Sequence, residues 1–301
     1  MNACRRLQIA VVVVALVAVR VTQQSRADEL LSIGLLTSDA QVYVNDGLSY
    51  KVVITNESRS QVTIAGPRVL PQFSCLIEYR VDEGEWVLLW DDLINGQKAE
   101  VLPAPIKIAA GLKWAEYGQV FLTKGKKHVF HEVGKPEIRA KVTCAIGTFL
   151  SKPIPIDVIP WPASQLPLDK RFVPVGHLVL DETMPLLERH FENLTELCGR
   201  YPSGGVAKSL KLFLDVESYE KDGAVAGKVA TRAEAFKVLS PGLDEVRRDQ
   251  LAFLLGNGAR KAKQWKDVAA LLGEIKDESS RRRSLQGELD GAIQTGQYRG
   301  R

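Results

Sequence analysis

The stretch that decides the fold is Val42–Ser58, Val-Tyr-Val-Asn-Asp-Gly-Leu-Ser-Tyr-Lys-Val-Val-Ile-Thr-Asn-Glu-Ser. Two β-type runs flank Asn45-Asp46-Gly47, a turn signal. In the second run Leu48, Tyr50, Val52 and Ile54 fall on one face, while Ser49, Lys51, Val53 and Thr55 fall on the other. A period of two with one apolar face marks a half-buried strand. Asn56-Glu57-Ser58 then supplies turn chemistry, because short polar side chains bond their own backbone.

The same style continues on both sides. Leu30–Leu36 reads as a first strand and Val62–Ala65 as a short one before Gly66-Pro67. Phe73–Val81 alternates, with Phe73, Cys75, Ile77, Tyr79 and Val81 on one face, and Trp86–Trp90 returns as its partner after an acidic turn. Ile106–Gly111 and Trp114–Leu122 follow. Glu137–Ile146 puts Ile138, Ala140, Val142, Cys144 and Ile146 together, and Phe149–Ile159 carries Pro153 and Pro155, as an edge strand permits. Short strands separated by turn signals at regular spacing predict an antiparallel sandwich.

Composition changes after residue 160. Trp161–Val175 is rich in proline and lacks periodicity, as a linker does. Beyond it, helical spacing appears over 182–199, 206–216, 225–239, 244–263, 266–276 and 278–295, with Ser203 placed to cap the second of these. Short helices with short connections imply antiparallel hairpins. The chain of 301 residues is long enough for two domains, and its 45% apolar and 25% charged residues are those of a globular protein. The expected organisation is a leader at 1–27, a β-sandwich at 28–160, a linker at 161–175 and an all-α helical-hairpin domain at 176–301.

The leader rests on three features. Arg5 and Arg6 precede an apolar run, Ile9–Val19, of 11 residues. A spanning helix needs about 20. Ser25-Arg26-Ala27 then places small residues where a signal peptidase cuts, so cleavage after Ala27 and a secreted or periplasmic location are expected, with no stable membrane span in the mature chain. Three cysteines remain after cleavage, Cys75, Cys144 and Cys198, and no C-x-x-C occurs. Cys75 and Cys144 both belong to inward-facing sets, so they are expected close together in the core, as a disulfide or as two buried thiols.

Two resemblances run alongside these readings. The run Leu48–Asn56, with Ala109-Ala110-Gly111 before a strand and Gly134–Ala140 leading into Ser151–Val158, resembles immunoglobulin-like modules of exported bacterial proteins. Pro136 and Glu137 replace the pattern usual at the penultimate strand, and the Tyr found there is missing. The segment Leu243–Lys276 looks like a tetratricopeptide-type hairpin, with Leu255-Gly256, Trp265 and Leu272 at matching positions; Ala259 and Val268 depart from it, and the closing Pro is absent. The first resemblance implies a fold and no site residues, since that fold hosts many roles. The second implies a surface for a protein or peptide partner.

Candidate chemistry is thin. The net charge of +4 holds one tight basic run, Arg281-Arg282-Arg283, which reads as a solvated helix face, so nucleic acid is not an expected partner. His128 and His131 would point to opposite faces of a strand, His190 lies on an apolar helix face, and His177 has no acidic companions; no metal site is expected. Asp91-Asp92 reads as a turn. Tyr201–Gly205 lacks the G-K-[ST] ending of a phosphate loop, and no G-x-S-x-G or H-E-x-x-H occurs. Asn56-Glu57-Ser58 and Asn193-Leu194-Thr195 are formal glycosylation sequons. No catalytic residue and no cofactor follow from this reading. It favours an exported, non-catalytic binding or scaffold protein of the cell envelope. The alternatives are a cell-envelope hydrolase with an unfamiliar site and a protease-inhibitor-like module.

Overall fold

The protein is described by a computed structural model covering residues 30–65, 74–88, 106–120, 129–144, 146–162, 191–225 and 231–299. Among the described residues, strands lie between Leu31 and Ile159 and helices between Phe191 and Gln294, with one short strand at Glu278–Ser279. Strand β1 (Leu31–Thr37) runs antiparallel to β3 (Leu48–Asn56), with Leu31 opposite Asn56 and Thr37 opposite Tyr50. Strand β8 (Lys113–Val120) lies on the other side of β3, with Lys51 opposite Tyr117 and Val52 opposite Glu116. A second sheet has the order β10 (Gly147–Leu150), β9 (Glu137–Cys144), β5 (Ser74–Arg80) and β6 (Val87–Leu88), with β11 (Ile154–Pro155) also on β9. Strand β2 (Gln41–Tyr43) pairs parallel with β12 (Asp157–Ile159), and β4 (Val62–Ala65) antiparallel with β7 (Ile106–Ile108).

The two sheets close on one apolar core. Val52, Ile54, Ile138, Ala140 and Val142 are sealed from solvent, with Leu48, Trp114 and Phe149 beside them. Each such aliphatic or aromatic side chain contributes about 1.5–3 kcal/mol on burial. The alternation of β9 survives intact, because Ile138, Ala140, Val142 and Cys144 point inward and the residues between them are half-exposed. The two runs flanking Asn45-Asp46-Gly47 form as strands, yet they do not pair with each other. β2 joins β12 whereas β3 joins β1 and β8. Asn45, at φ 64°, turns the chain from one pairing to the other.

The helices are α1 (Phe191–Arg200), α2 (Gly205–Val225), α3 (Arg232–Leu239), α4 (Glu245–Lys261), α5 (Trp265–Glu274) and α6 (Ser280–Gln294). Where Val225–Leu239 reads as one helix from its alanines, α2 runs to Val225 and α3 starts afresh after Thr231. The cause is a capping box: Thr231 Oγ1 accepts from Glu234 N, and Glu234 returns the bond to Thr231 N. Asp244 caps α4 by accepting from Arg247 N, and Ser279 caps α6 by accepting from Arg282 N. Antiparallel α4 and α5 bury Leu251, Leu255, Val268, Leu271 and Leu272, with Leu254 only half-buried, and α6 closes the cluster with Leu285 and Leu289.

One expectation for this half fails. The segment after α5 is not part of an all-α domain, because Glu278–Ser279 forms β13 and pairs parallel with β8, Glu278 opposite Trp114. An unpaired edge of β8 would leave backbone donors and acceptors without partners, and the connection between α5 and α6 fills that edge. Trp161 departs from its linker reading as well. Its indole stacks on Tyr43 with centroids 4.2 Å apart and donates to Val44 O at 2.8 Å. Residues 1–29 and 163–190, hence the leader, most of the linker, His177 and His190, lie outside the described residues.

Candidate functional site

The densest polar constellation among the described residues lies where the helices meet the outer face of the first sheet. The period of two in β3 puts Ser49 and Lys51 on that face. Lys51 is nevertheless fully buried, and its ammonium reaches three carboxylates: Glu245 at 2.8 Å, Asp249 at 2.7 Å and Asp277 at 2.7 Å. Glu245 and Asp249 are one turn apart on α4, which brings both to the same spot. Tyr117, opposite Lys51 on β8, donates its hydroxyl to Asp249 at 2.8 Å.

Burial alone would push the Lys51 ammonium down. Hydrogen bonds to Asp249, Asp277 and Glu245 more than offset that, and hold it above an ordinary lysine. Burial, then the neighbouring Asp249 carboxylate, pushes the Tyr117 phenol up, so it stays a neutral donor. The ammonium has three N–H groups and three carboxylate partners, so its hydrogen-bonding capacity is filled.

A second knot lies along the same seam. Arg247 on α4 clamps Asp39 and donates to Ser38 O at 3.1 Å, while Lys208 on α2 reaches Asp39 at 3.0 Å. Burial would raise the Asp39 carboxyl, but Arg247 and then Lys208 hold it below the usual carboxylate value. Ser49 and Ser209 hydroxyls meet at 3.3 Å.

The third contact occupies the N-terminus of α2. Asp46, sealed from solvent, accepts from Gly47 N at 2.8 Å and from Gly205 N at 2.6 Å. The helix dipole and its free N–H groups favour a carboxylate there. The backbones approach so closely that a Cβ at Gly205 would fall 2.2 Å from Gly47 O. Tyr201–Gly205, which lacks the ending of a phosphate loop, thus meets the protein's own carboxylate at the start of α2. The expected cap, Ser203, is replaced by Asp46 from across the seam.

The arginine run also differs from its solvated-face reading. Arg281 lies over the rings of Tyr117 and Phe253, each 5.2 Å away. Arg282 donates to Leu272 O at 2.7 Å and to Ile275 O, closing the C-terminal end of α5. Arg283 stacks over Trp114 at 4.5 Å and pairs with Glu278. All three are spent on packing because α6 begins directly beside β8.

Sequence reasoning missed one further group. Glu116 sits opposite Val52, on the core face of β8, and accepts from the Trp114 indole N–H. Burial pushes its carboxyl up, although Trp114 and Arg281 pull it back in part. The signal was present in the parity of Trp114, Glu116 and Gly118, which alternate in step with the core residues of β3.

Cys75 and Cys144 are free thiols on neighbouring strands and the same face. Cys75 is opposite Val142, so Cys144 lies one diagonal step away, about 7–8 Å in a regular sheet. Burial, then the nearby Glu116, pushes the Cys75 thiol up; burial also raises Cys144. His131 lies in an exposed loop with Glu132 at 3.6 Å. His128 and Asp91-Asp92 fall outside the described residues. Among the described residues no three His, Cys, Asp or Glu side chains are grouped as metal ligands, and no helix is long and apolar enough to cross a membrane. Asn56 is sealed from solvent and donates to Ser60 O and Ile108 O, so its side chain is closed to a glycosyl donor in the folded protein.

The chain matches no protein-family model and no curated protein. Among solved structures it is similar to an alkylpurine DNA glycosylase from Pseudomonas fluorescens bound to DNA containing an abasic-site analogue, at 10% identity and a TM-score of 0.27, over 43% of this chain and 30% of that one. It is similar to a β-glucosidase from Listeria innocua in complex with glucose at 14% identity and a TM-score of 0.24, over 44% and 16%. The CARDB domain of a Pyrococcus furiosus protein, in complex with di-metal ions, is matched at 13% identity and a TM-score of 0.25, over 44% and 97%. The chain spans less than a third of the first two of these proteins. Likenesses this slight carry no argument about function.

Proposed function

We propose that the protein is an exported, non-catalytic binding or scaffold protein of the cell envelope, built from an immunoglobulin-like sandwich and a tetratricopeptide-like helical unit that holds a protein or peptide partner. The observation that carries this reading is the mutual pairing of the seam's charged groups: Lys51 and Tyr117 are spent on Asp249, and Arg247 on Asp39 and Asp244. A catalytic constellation needs a nucleophile or base with a free approach for substrate. Since α4 turns one side to the sheet and another to α5 and α6, a partner meets the outer sides of α3, α5 and α6, where Val238 and Ile293 are exposed.

The test is site-specific photocrosslinking in the exporting cell. A crosslinker at Val238 or Ile293 should capture a discrete partner, whereas one at Val81, exposed on the β half, should not. Capture from Val81 alone, or turnover of a peptide or glycan by the purified protein, would overturn the proposal.

A further inference from the structure

Four elements converge on the Lys51 nitrogen. β3 carries the lysine, α4 carries Glu245 and Asp249, β8 carries Tyr117, and Asp277 directly precedes β13. The pairing of β13 on β8, with Glu278 opposite Trp114 and Ser279 opposite Ala115, fixes Asp277 through backbone bonds. The Lys51 side chain is sealed, Asp249 keeps 5% exposure and Asp277 14%, whereas Glu245 stands at the rim with 53%. One carboxylate would neutralise the ammonium, and every further charge in a sealed site carries a desolvation cost. Three carboxylates around one nitrogen therefore exceed what pairing needs. A nucleophile, a carboxyl to be attacked and a second carboxyl to carry a proton are the parts of an amide condensation.

We propose that this cluster is a self-modification site, at which Lys51 Nζ and the Asp249 carboxyl condense to an amide within the chain. Nζ lies 2.7 Å from Asp249 Oδ2, which puts the carboxyl carbon about 3.5 Å from the nitrogen, at the outer edge of attack range. Tyr117 donates to the same Oδ2 at 2.8 Å, so it draws charge off the carboxyl as the carbon becomes tetrahedral. The resting ammonium first passes one proton to Asp277 Oδ2, 2.7 Å away. Burial favours the neutral amine thus formed, while the three carboxylates favour the ion, so the amine is the minor, reactive form.

The amine lone pair then forms the C–N bond, and the bond from that carbon to one carboxyl oxygen breaks. The departing oxygen takes a second proton from the nitrogen and the first from Asp277, and leaves as water. The ammonium and carboxylate charges cancel, no oxidant or cofactor is consumed, and Asp277 ends as it began. Condensation is favoured because the reacting groups are already held together and the product removes two charges from a sealed site. The reverse step needs water where none has access. The bond ties β3 to α4 across 198 positions and stands apart from the reading of the protein as a partner-binding one.

Intact-mass measurement of the purified full chain under denaturing, reducing conditions tests the proposal. The wild-type chain should be lighter than its sequence by the mass of one water. Trypsin should leave Lys51 uncut and release a branched species in which the peptide ending at Arg59 is joined to Asp249–Arg260. In the unfolded chain Lys51 should escape acetylation by acetic anhydride, while Lys113 and Lys208 are modified. Lys51→Arg, which keeps the cation, and Asp249→Ala should both show the full sequence mass. Asp277→Asn, which cannot carry the proton, should condense about 100-fold more slowly in pulse-labelled chains. Asp277→Asn condensing as fast as wild type would remove the proton carrier from the scheme. A wild-type chain of full sequence mass overturns the proposal outright, whatever the variants do. Water lost as a linear succinimide at Asp46-Gly47, or a branch to Asp277 in place of Asp249, would overturn it too.

Discussion

Replacing Gly205 by Ala tests the fit of α2 against the Asn45–Gly47 turn. The added methyl would lie 2.2 Å from Gly47 O and 3.4 Å from an Asp39 carboxylate oxygen. The first atom is backbone, held in a turn by the Asp46 N–H bond to Tyr43 O at 3.0 Å, so it cannot swing away as a side chain would. Restoring an ordinary contact requires the helix end to retreat by roughly 1 Å. That retreat stretches the bond from Gly205 N to Asp46 Oδ2, now 2.6 Å, to the limit of hydrogen bonding. Losing such a cap costs about 1–2 kcal/mol, and forcing an extra carbon into a packed site costs about 1–3 kcal/mol. The better helix propensity of alanine returns at most about 1 kcal/mol. The expected net effect is a loss of about 1–4 kcal/mol, read by urea denaturation followed by circular dichroism. Gly287→Ala and Gly291→Ala on α6 are matched controls, since a methyl there meets nothing within 4 Å. Each should gain about 0.4–1 kcal/mol. A Gly205→Ala protein as stable as wild type, with the Gly205 amide equally protected from exchange, would refute the close-approach argument.

Three further outcomes are expected. Cys198, whose thiol burial pushes up to about 11, should alkylate slowly at pH 8 and faster as pH rises toward that value, with Cys75 slower still; iodoacetamide labelling with peptide mass analysis measures both. Protein made in a glycosylating host should carry no glycan at Asn56 once folded, and an intact-mass increment mapped to that residue would contradict its burial. The exported chain should begin at Asp28 on N-terminal sequencing, and recovery of Met1 in the membrane fraction would dismiss the cleavage site proposed after Ala27.

The sequence by itself determined which sides of β3 and β9 face the core. Leu48, Tyr50, Val52 and Ile54 are buried as their period requires, and so are Ile138, Ala140, Val142 and Cys144, because pleating forces alternate side chains to opposite faces. It placed the helical hairpin core at Leu251, Leu254, Leu255, Val268, Leu271 and Leu272 for the same kind of reason, a period of 3.6, and all of these but the half-buried Leu254 are buried. Only the tertiary structure decided what the polar face of β3 meets. Ser49 and Lys51 have the pattern of solvent-facing residues, yet α2 and α4 cover them. Lys51 finds Glu245 and Asp249 194 and 198 positions away. Periodicity reports the two faces of a strand but not whether the polar one meets water or another unit. Nor could local sequence show that Asp46 caps a helix beginning at Gly205, or that Glu278–Ser279 would complete the edge of β8. Each is a pairing between groups whose own surroundings look ordinary until the chain brings them together.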